Sequence, residues 1–438
     1  MSLKMTNTFT LSGSKGWGLL AAATLLTSTA SANVNNNTSD DVDRLADLES
    51  KVEVLTEEIQ RLQNSGLEGS LGESHSGLGA AASKVFDSDS GLSIGGYGEA
   101  TYTNFRSGGA DRTDRADFLR AILYVGYKFD KNWVLNTEIE IEHADEIFLE
   151  FGALDYLHSD ELNLRAGLLL LPMGFVNELH EPNTFHSVRR SDVESFIIPS
   201  TWRENGVGAY GTVGDFDYRT YVVNGFDGQK FEASNGLRSG RQKGSKAKAD
   251  DFAGVVRIDW KGVPDLIVGG SYYVGHSAQD VEGINGKVEI MEAHVEWKHG
   301  GFYTRGLWAS ADVSDVAALA AAREAAKSTP GLLTDPAVQD SVIGGNLQGG
   351  YIEAGFDVFT LTNRVGSLTP FVRLESYDLQ RDPVAGFFVS GQNDVRVATM
   401  GCSWQPNANL IFKADWQNYD ARTHDAPNQF NLSMGYIF

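Results

Sequence analysis

The stretch WVLNTEIEIE, residues 133–142, divides by parity. Trp133, Leu135, Thr137, Ile139 and Ile141 fall on one side of an extended chain, and Asn136, Glu138, Glu140 and Glu142 on the other. Side chains alternate across a strand with period two but recur near 3.6 in a helix, so the stretch reads as a strand. A soluble sandwich rarely needs a strand this long with three glutamates aligned on one face. Outward along the chain the pattern repeats. In DFLRAILYVGYKF (117–129), Leu119, Ala121, Leu123, Val125, Tyr127 and Phe129 share one face, and Arg120 and Tyr124 the other. FNLSMGYIF (430–438) alternates Phe430, Leu432, Met434, Tyr436 and Phe438 without a break. Tilted strands that cross a bilayer need about 9–11 residues, and these segments supply them.

The same alternation marks sixteen segments: 93–105, 117–129, 133–143, 146–157, 161–171, 204–213, 216–225, 251–260, 265–275, 287–298, 301–311, 348–359, 369–379, 393–404, 409–419 and 428–438. Connections alternate between short turns (DKN, HSDE, GD, KGVPD, HGG, QPNAN and the longer TLTNRVGSL) and long loops (106–116, 172–203, 226–250, 276–286, 312–347, 380–392). Only His143–Asp145 is short on the long side. Short turns at one end and long loops at the other describe a bacterial membrane barrel, with turns periplasmic and loops outside. Aromatics at strand ends, such as Trp260, Trp297 and Trp404, suit an interfacial girdle. Free sheet edges cannot be solvated by hydrocarbon, so the sheet must close. The expected fold is all-β: a transmembrane antiparallel up-and-down barrel of about sixteen strands, too wide for side chains alone to fill.

Composition agrees. The 438 residues carry 36 Lys+Arg against 58 Asp+Glu, net −22, with 48 Gly and a single Cys. One cysteine excludes a disulfide framework or a cysteine-built metal centre, and the acidic balance argues against a nucleic-acid partner. A mean hydropathy of −0.24 excludes a helical multi-span protein but not a barrel, where alternate residues suffice.

The N-terminal region reads as an address followed by a stalk. Lys4 and Lys15, the apolar run Trp17–Leu26 and Ala30-Ser31-Ala32 form a signal-peptide pattern over 1–32, with cleavage expected after Ala32; a retained anchor is the other reading. Within 33–63, Leu45, Leu48, Val52, Leu55, Ile59 and Leu62 recur at three- and four-residue steps, an a/d seam that predicts a short self-associating coiled coil in the periplasm. So short a helix needs partner helices to be stable in water. The Gly/Ser-rich stretch 64–91 reads as a flexible linker, and 92–438 as the barrel.

Polar parity assigns the inner wall. It places Arg120, Arg165, Arg219, Arg257, Arg373, Arg396 and Lys413 inside, with Glu138, Glu140, Glu142, Glu150, Glu292, Glu296, Glu353, Glu375 and Asp415. An Arg or Lys at the lipid midplane would cost about 2–4 kcal/mol, which enforces the parity. Acidic third and fourth strands facing basic residues elsewhere predict a field across the lumen. Loop 172–203, PMGFVNELHEPNTFHSVRRSDVESFIIPST and its flanks, is too rich in Pro, Phe, Ile and Val for a solvated loop. It is expected to fold inward and form a constriction of mixed sign with Glu178, Arg189 and Arg190; a fold over the outer rim is the alternative.

The segments IGGYGEATY (94–102), LNTEIEIEHA (135–144), LRAGLLLLPMGFVNELHEPNTFHSV (164–188) and ESFIIPSTWRENGVGAYG (194–211), with C-terminal Phe438, resemble the phosphate-selective porin O/P family over about four-fifths of the chain. The terminal aromatic also resembles the insertion signature of outer-membrane barrels. The family resemblance implies a sixteen-stranded outer-membrane porin, usually trimeric, with an inward third loop and passive diffusion of anions such as phosphate. The slightly acidic third loop and the three glutamates of 133–142 depart from a filter of convergent cations. The expectation is therefore a water-filled channel for small hydrophilic solutes or ions, not an enzyme and needing no cofactor. A barrel that tethers the envelope through its stalk is the second reading. Expected partners are outer-membrane lipid and lipopolysaccharide, two further copies of the chain, and peptidoglycan through the stalk.

Other features carry plainer readings. RSGRQKGSKAK (238–248) reads as a solvated outer loop, with lipopolysaccharide phosphate or anion capture as alternatives. DVAALAAAREAAK (315–327) predicts a short helix in another outer loop. His180, Glu181 and His186 lack the HExxH spacing of a metal site, and Cys402 reads as an inert thiol.

Overall fold

The computed structural model describes residues 74–106, 113–362, 364–423 and 427–438. The expected signal sequence, its expected cleavage site and the expected coiled-coil seam lie outside the described residues. Among the described residues sixteen antiparallel strands close into one barrel, each paired with its sequence neighbours and β1 with β16. In chain order they are β1 (Gly91–Arg106), β2 (Arg115–Lys128), β3 (Trp133–Glu142), β4 (Glu146–Leu157), β5 (Asn163–Leu170) and β6 (Arg203–Val213). Next come β7 (Phe216–Asn224), β8 (Phe252–Val263), β9 (Leu266–Gly275), β10 (Val288–His299) and β11 (Phe302–Val313). The last five are β12 (Asn346–Phe356), β13 (Ser367–Asp378), β14 (Asp394–Asn407), β15 (Leu410–Ala421) and β16 (Asn428–Ile437). The odd strands run from the turn end to the loop end, so the chain enters and leaves the barrel at the turn end.

The expected parity governs the outer surface. Leu123, Ile139, Ile141, Leu154, Val207, Val222, Ile258, Met291, Trp308, Val372, Met400, Phe412 and Leu432 all face outward and are exposed. An apolar belt this continuous around a closed barrel is a surface made for hydrocarbon. The seam closes on two outward glycines. Backbone bonds join Gly96 and Phe438 in both directions, at 2.8 and 2.9 Å. A Cβ on Gly96 would lie 2.8 Å from Phe438 Cζ, and one on Gly98 would overlap the Tyr436 ring. The terminal aromatics therefore cover bare backbone where the first and last strands meet.

The short loop-end hairpin has a local cause. His143 and Ala144 both take positive φ, 52° and 67°. The Asp145 amide then reaches Glu142 O at 3.3 Å. Two left-handed central residues make the turn that suits strand twist. Ala144 adopts it without the help of a glycine.

Two segments occupy the interior. The described part of the expected linker is not a flexible joint: α1 (Ala80–Asp87) is a helix that buries Ala81, Ala82 and Val85 against the inner faces of β1, β2 and β3. Small residues without β-branching at 80–83 favour the helix. Gly95 and Gly126 leave the wall low enough for it to approach. Loop 171–202 crosses the lumen and carries α2 (Asp192–Phe196), capped by Ser191, whose hydroxyl accepts from the Glu194 amide.

The loop-end half of the interior is an apolar core rather than a wet wall. Tyr221 and Val223 of β7, Val255 of β8, Tyr273 of β9, Ile290 of β10 and Leu347 of β12 pack with Trp202, Phe226, Phe231, Leu237, Val342 and Ile343 from the long loops. The helix expected within 315–327 is α3 (Val316–Ala325), and its Val316, Leu319 and Ala320 join this core. A further short helix, α4 (Pro336–Asp340), precedes β12.

Candidate pore and its constriction

The turn-end half of the lumen is open. It holds a vestibule of about 1310 Å³. Its walls carry Arg219, Arg257, Asp259, Glu296 and Arg305, and its roof is Phe175, Glu178, Leu179, Thr184 and His186 of the inward loop. The inward fold expected of 172–203 is therefore what the structure contains.

Asn177 fixes the two ends of that loop together. Its amide nitrogen donates to Leu171 O at 2.6 Å and Trp202 O at 3.0 Å, and its oxygen accepts from the Trp202 amide at 2.5 Å. Wall residues then hold the span. Glu375 accepts from the Ser191 hydroxyl (2.7 Å) and the Val193 amide (2.6 Å). Asp415 accepts from the Val188 amide at 2.6 Å, and Arg373 and Lys413 donate to Ser187 at 2.7 and 3.0 Å. Glu178 meets Arg219 at 2.7 Å, and Tyr351 donates to Glu194 at 2.9 Å. The loop is thus tied to β7 on one side of the barrel and to the β12–β15 wall, through β12, β13 and β15, on the other.

Most sequence-assigned residues occupy the inner face. Arg120, Arg165, Arg219, Arg257, Arg373 and Lys413 are inward and buried, as are Glu138 and Glu140; Glu142 is inward at the loop-end rim. Arg396 is not inward. It is exposed on the outer face near the start of β14, between Val395 and Val397, which are buried in the loop core. Asp420 is its cross-strand neighbour. Charge-inside parity fails here because the local interior is apolar, while an arginine near the membrane interface costs only about 0–1 kcal/mol. Arg189 is exposed and Arg190 half-buried.

The cations of the later strands do not form a free basic wall. Arg165 grips Asp155 with two bonds, 2.8 and 2.9 Å. Arg219 and Arg257 share Asp259 at 2.5 and 2.8 Å. Arg305 holds Glu296, with Nε at 2.9 Å, and Arg373 lies 3.6 and 3.5 Å from Glu353 and Glu375. His294 bridges Glu292 (2.6 Å) and Asp259 (2.8 Å). Such pairing is required of buried charge and leaves little net field on that side.

Charge imbalance is concentrated beside β1–β6. Glu138 and Glu150 are buried with no hydrogen-bond partner for Glu138 Oε1 and Oε2 or Glu150 Oε1 and Oε2, although Arg203 sits 2.7 Å from Glu150 and His180 3.5 Å from Glu138. Arg120 is 3.7 Å from Glu99. Against these stand Arg190, Arg238 and Arg241. Burial, then repulsion from Arg120, lowers Arg190 to about 10. Burial, then repulsion from Arg238, lowers Arg241 to about 9. The run 238–248 is therefore not wholly solvated: Arg241 is buried and donates to Ser200 O and Thr201 O at 2.9 Å each, and Arg238 also bonds Ser200 O. Arginines gathered from β2, β6, the third loop and the 225–251 loop face carboxylates of β1, β3 and β4. The opposition of acidic and basic wall groups expected across the lumen is found in this quadrant.

The two loop histidines diverge. His180 Nδ1 lies 3.0 Å from Asn177 O, and His186 Nδ1 lies 2.7 Å from Ser403 on β14. Burial drives both rings down to about 3, so both are neutral. Among the described residues no group of His, Cys, Asp and Glu forms a metal centre.

No family model matches the chain. A protein of Aquifex aeolicus (strain VF5), described as uncharacterized, is 35% identical over 378 residues, covering 83% of this chain and 84% of that protein. The chain belongs to that protein's family. Solved structures share the architecture at much lower identity. Salmonella typhi OmpF, in a complex with daunomycin, is 12% identical with a TM-score of 0.54, over 80% of this chain and 98% of that one. Vibrio cholerae OmpT in its trimer form is 10% identical with a TM-score of 0.51, over 80% and 100%. These likenesses establish the outer-membrane barrel fold.

Parity could have yielded the missed wall residues Glu99, Asp155, Asp259, His294 and Arg305, which lie on the polar side of their strands. Nothing local marks Arg238 or Arg241, whose inward course is set by the carbonyls of Ser200 and Thr201, 38 to 41 residues earlier.

Proposed function

We propose that the chain is a porin of the outer membrane, passing small hydrophilic solutes and ions by diffusion. The observation that carries this is a closed barrel with an apolar exterior whose interior holds a charged vestibule roofed by a loop tied to the wall strands. The membrane must face the belt, and water the charged interior. Short turns then lie in the periplasm and long loops outside. The resemblance to phosphate-selective porins supports anions as the permeant class and a trimer as the assembly. The arginines around Arg190 favour anions, whereas Glu138, Glu140 and Glu150 oppose them, so the net preference is set by that quadrant. Purified protein in planar bilayers should give discrete conductance steps, and a salt gradient should give an anion-directed reversal potential. No steps at any protein load would end the channel reading. The envelope-tether alternative depends on the coiled-coil seam at 45–62: its deletion should leave conductance intact in a porin.

A further inference from the structure

The interior helix α1 has a seat built for it. At Gly126 a Cβ would stand 2.5 Å from Val85 Cβ, and at Gly95 one would stand 2.6 Å from Ala81 O. Any side chain at those two wall positions would push the helix away. Polar wall groups then fasten both its ends. Asn136 donates to Ala82 O at 2.7 Å, and Lys128 donates to Phe86 O at 3.0 Å, a cation at the helix C-terminus. The segment before the helix folds back on it: the His75 amide donates to Ser83 Oγ at 2.9 Å, and the His75 and Phe86 rings stack at 4.1 Å. The constriction loop contributes the last contact. A Cβ at Gly79, just before the helix, would overlap the Glu181 carboxyl, so that side chain of another part of the chain lies against the helix N-terminus.

We propose that residues 74–87 are a lumenal strap: seated on β1–β3 and abutted by Glu181 of the constriction loop, they narrow the path through the barrel, and their release widens it. This rests on the channel reading. A soluble linker would need none of these features, and a wall glycine serves no strand-pairing purpose at Gly126.

The full-length protein tests this in planar bilayers. A81E together with V85E places two carboxylates on the seated face without altering the wall. Removing a rod roughly 10 Å wide from the lumen should raise single-channel conductance about two-fold. Position is read separately with A82C in a C402S background, using a membrane-impermeant methanethiosulfonate. The introduced thiol should be protected in the otherwise native chain, where Ala82 is 2% exposed, and labelled when A81E and V85E are added. N136L, which removes only the amide bond to Ala82, should move both readouts in the same direction by less, and it serves if the double variant fails to fold. Immediate labelling of A82C in the native background would overturn the proposal. So would persistent protection with both glutamates present, or labelling without a rise in conductance. Absence of steps in the wild type would fail the channel reading itself, whereas wild-type steps with no rise on release fail the strap alone.

Discussion

Asn177 concentrates the stability of the constriction in one side chain, and its replacement should be felt there before anywhere else. Asn177→Leu removes three hydrogen bonds while keeping the branching at Cγ. Two of the three groups it leaves keep other partners: Leu171 O still accepts from the Met173 amide at 2.9 Å, and Trp202 O from the Leu171 amide at 3.0 Å. The Trp202 amide, which donates to Asn177 at 2.5 Å, has no second acceptor, and Trp202 is fully buried. Two modest losses plus one orphaned buried donor amount to about 2–4 kcal/mol. Because the loop is an excursion from an otherwise intact barrel, this should appear as local opening. Hydrogen exchange of the 197–203 segment in the native protein should accelerate about 30- to 1,000-fold while strand amides are unchanged. Asn177→Ala should add a cavity cost to the same loss. An acceleration below about three-fold with Asn177→Leu would mean that the Trp202 amide is satisfied otherwise, and that the loop is held by its wall contacts alone.

Arg189→Glu with Arg190→Glu reverses charge in the constriction, and the reversal potential under a salt gradient should move toward cations, by about three-fold or more in permeability ratio; an unmoved potential would place Arg190 off the ion path. Ala144→Gly should raise the urea midpoint, gaining about 1 kcal/mol by relieving a left-handed alanine; no gain would mean the turn is not strained. The Glu181 carboxyl is raised by burial from 4.5 to about 7. In the folded protein it therefore holds its proton where the unfolded chain has lost it, so its contribution, about 3 kcal/mol, is present at low pH and lost as pH rises through 7. Urea unfolding of Glu181→Gln against wild type should show a difference that grows between about pH 4.5 and 7 and is flat elsewhere; a difference independent of pH would contradict the shift. Gly98→Val should force Tyr436 off the seam and reduce the heat-resistant folded band on a cold gel; normal folding yield would remove the aromatic cover from the account of closure.

The quadrant beside β1–β6 gives the net acidic chain a cluster of arginines inside the barrel. Composition averages over that arrangement. A chain with net charge −22 can still gather Arg120, Arg190, Arg203, Arg238 and Arg241 in one quadrant of its interior, while most other interior cations are neutralised in pairs. The local charge balance is thus set by how the groups are distributed and paired, and not by the total.

Alternation by itself was enough for the sixteen strands, their order and their outward faces, because a period-two strand with one face in hydrocarbon has a single tolerable register. The sequence also placed the loop that folds inward, since no solvated loop is so rich in Phe, Ile and Val. It could not say what fills the inside. Inward residues at the loop end of β7–β12 meet packed loops, and those at the turn end meet water, yet both alternate with apolar outward residues in the same way. Arg396 was misplaced for that reason: beside an apolar core, Val395 and Val397 take the inner face. Residues 80–87 read as a linker because their partners, Asn136, Lys128 and Glu181, lie 42 to about 100 residues further on. Arg238 and Arg241 read as a solvated run because the carbonyls that draw them in belong to another loop. Local periodicity fixes a strand's orientation against a uniform solvent, whereas the identity of an interior partner is a fact about distant chain that only closure of the barrel brings within a few ångströms.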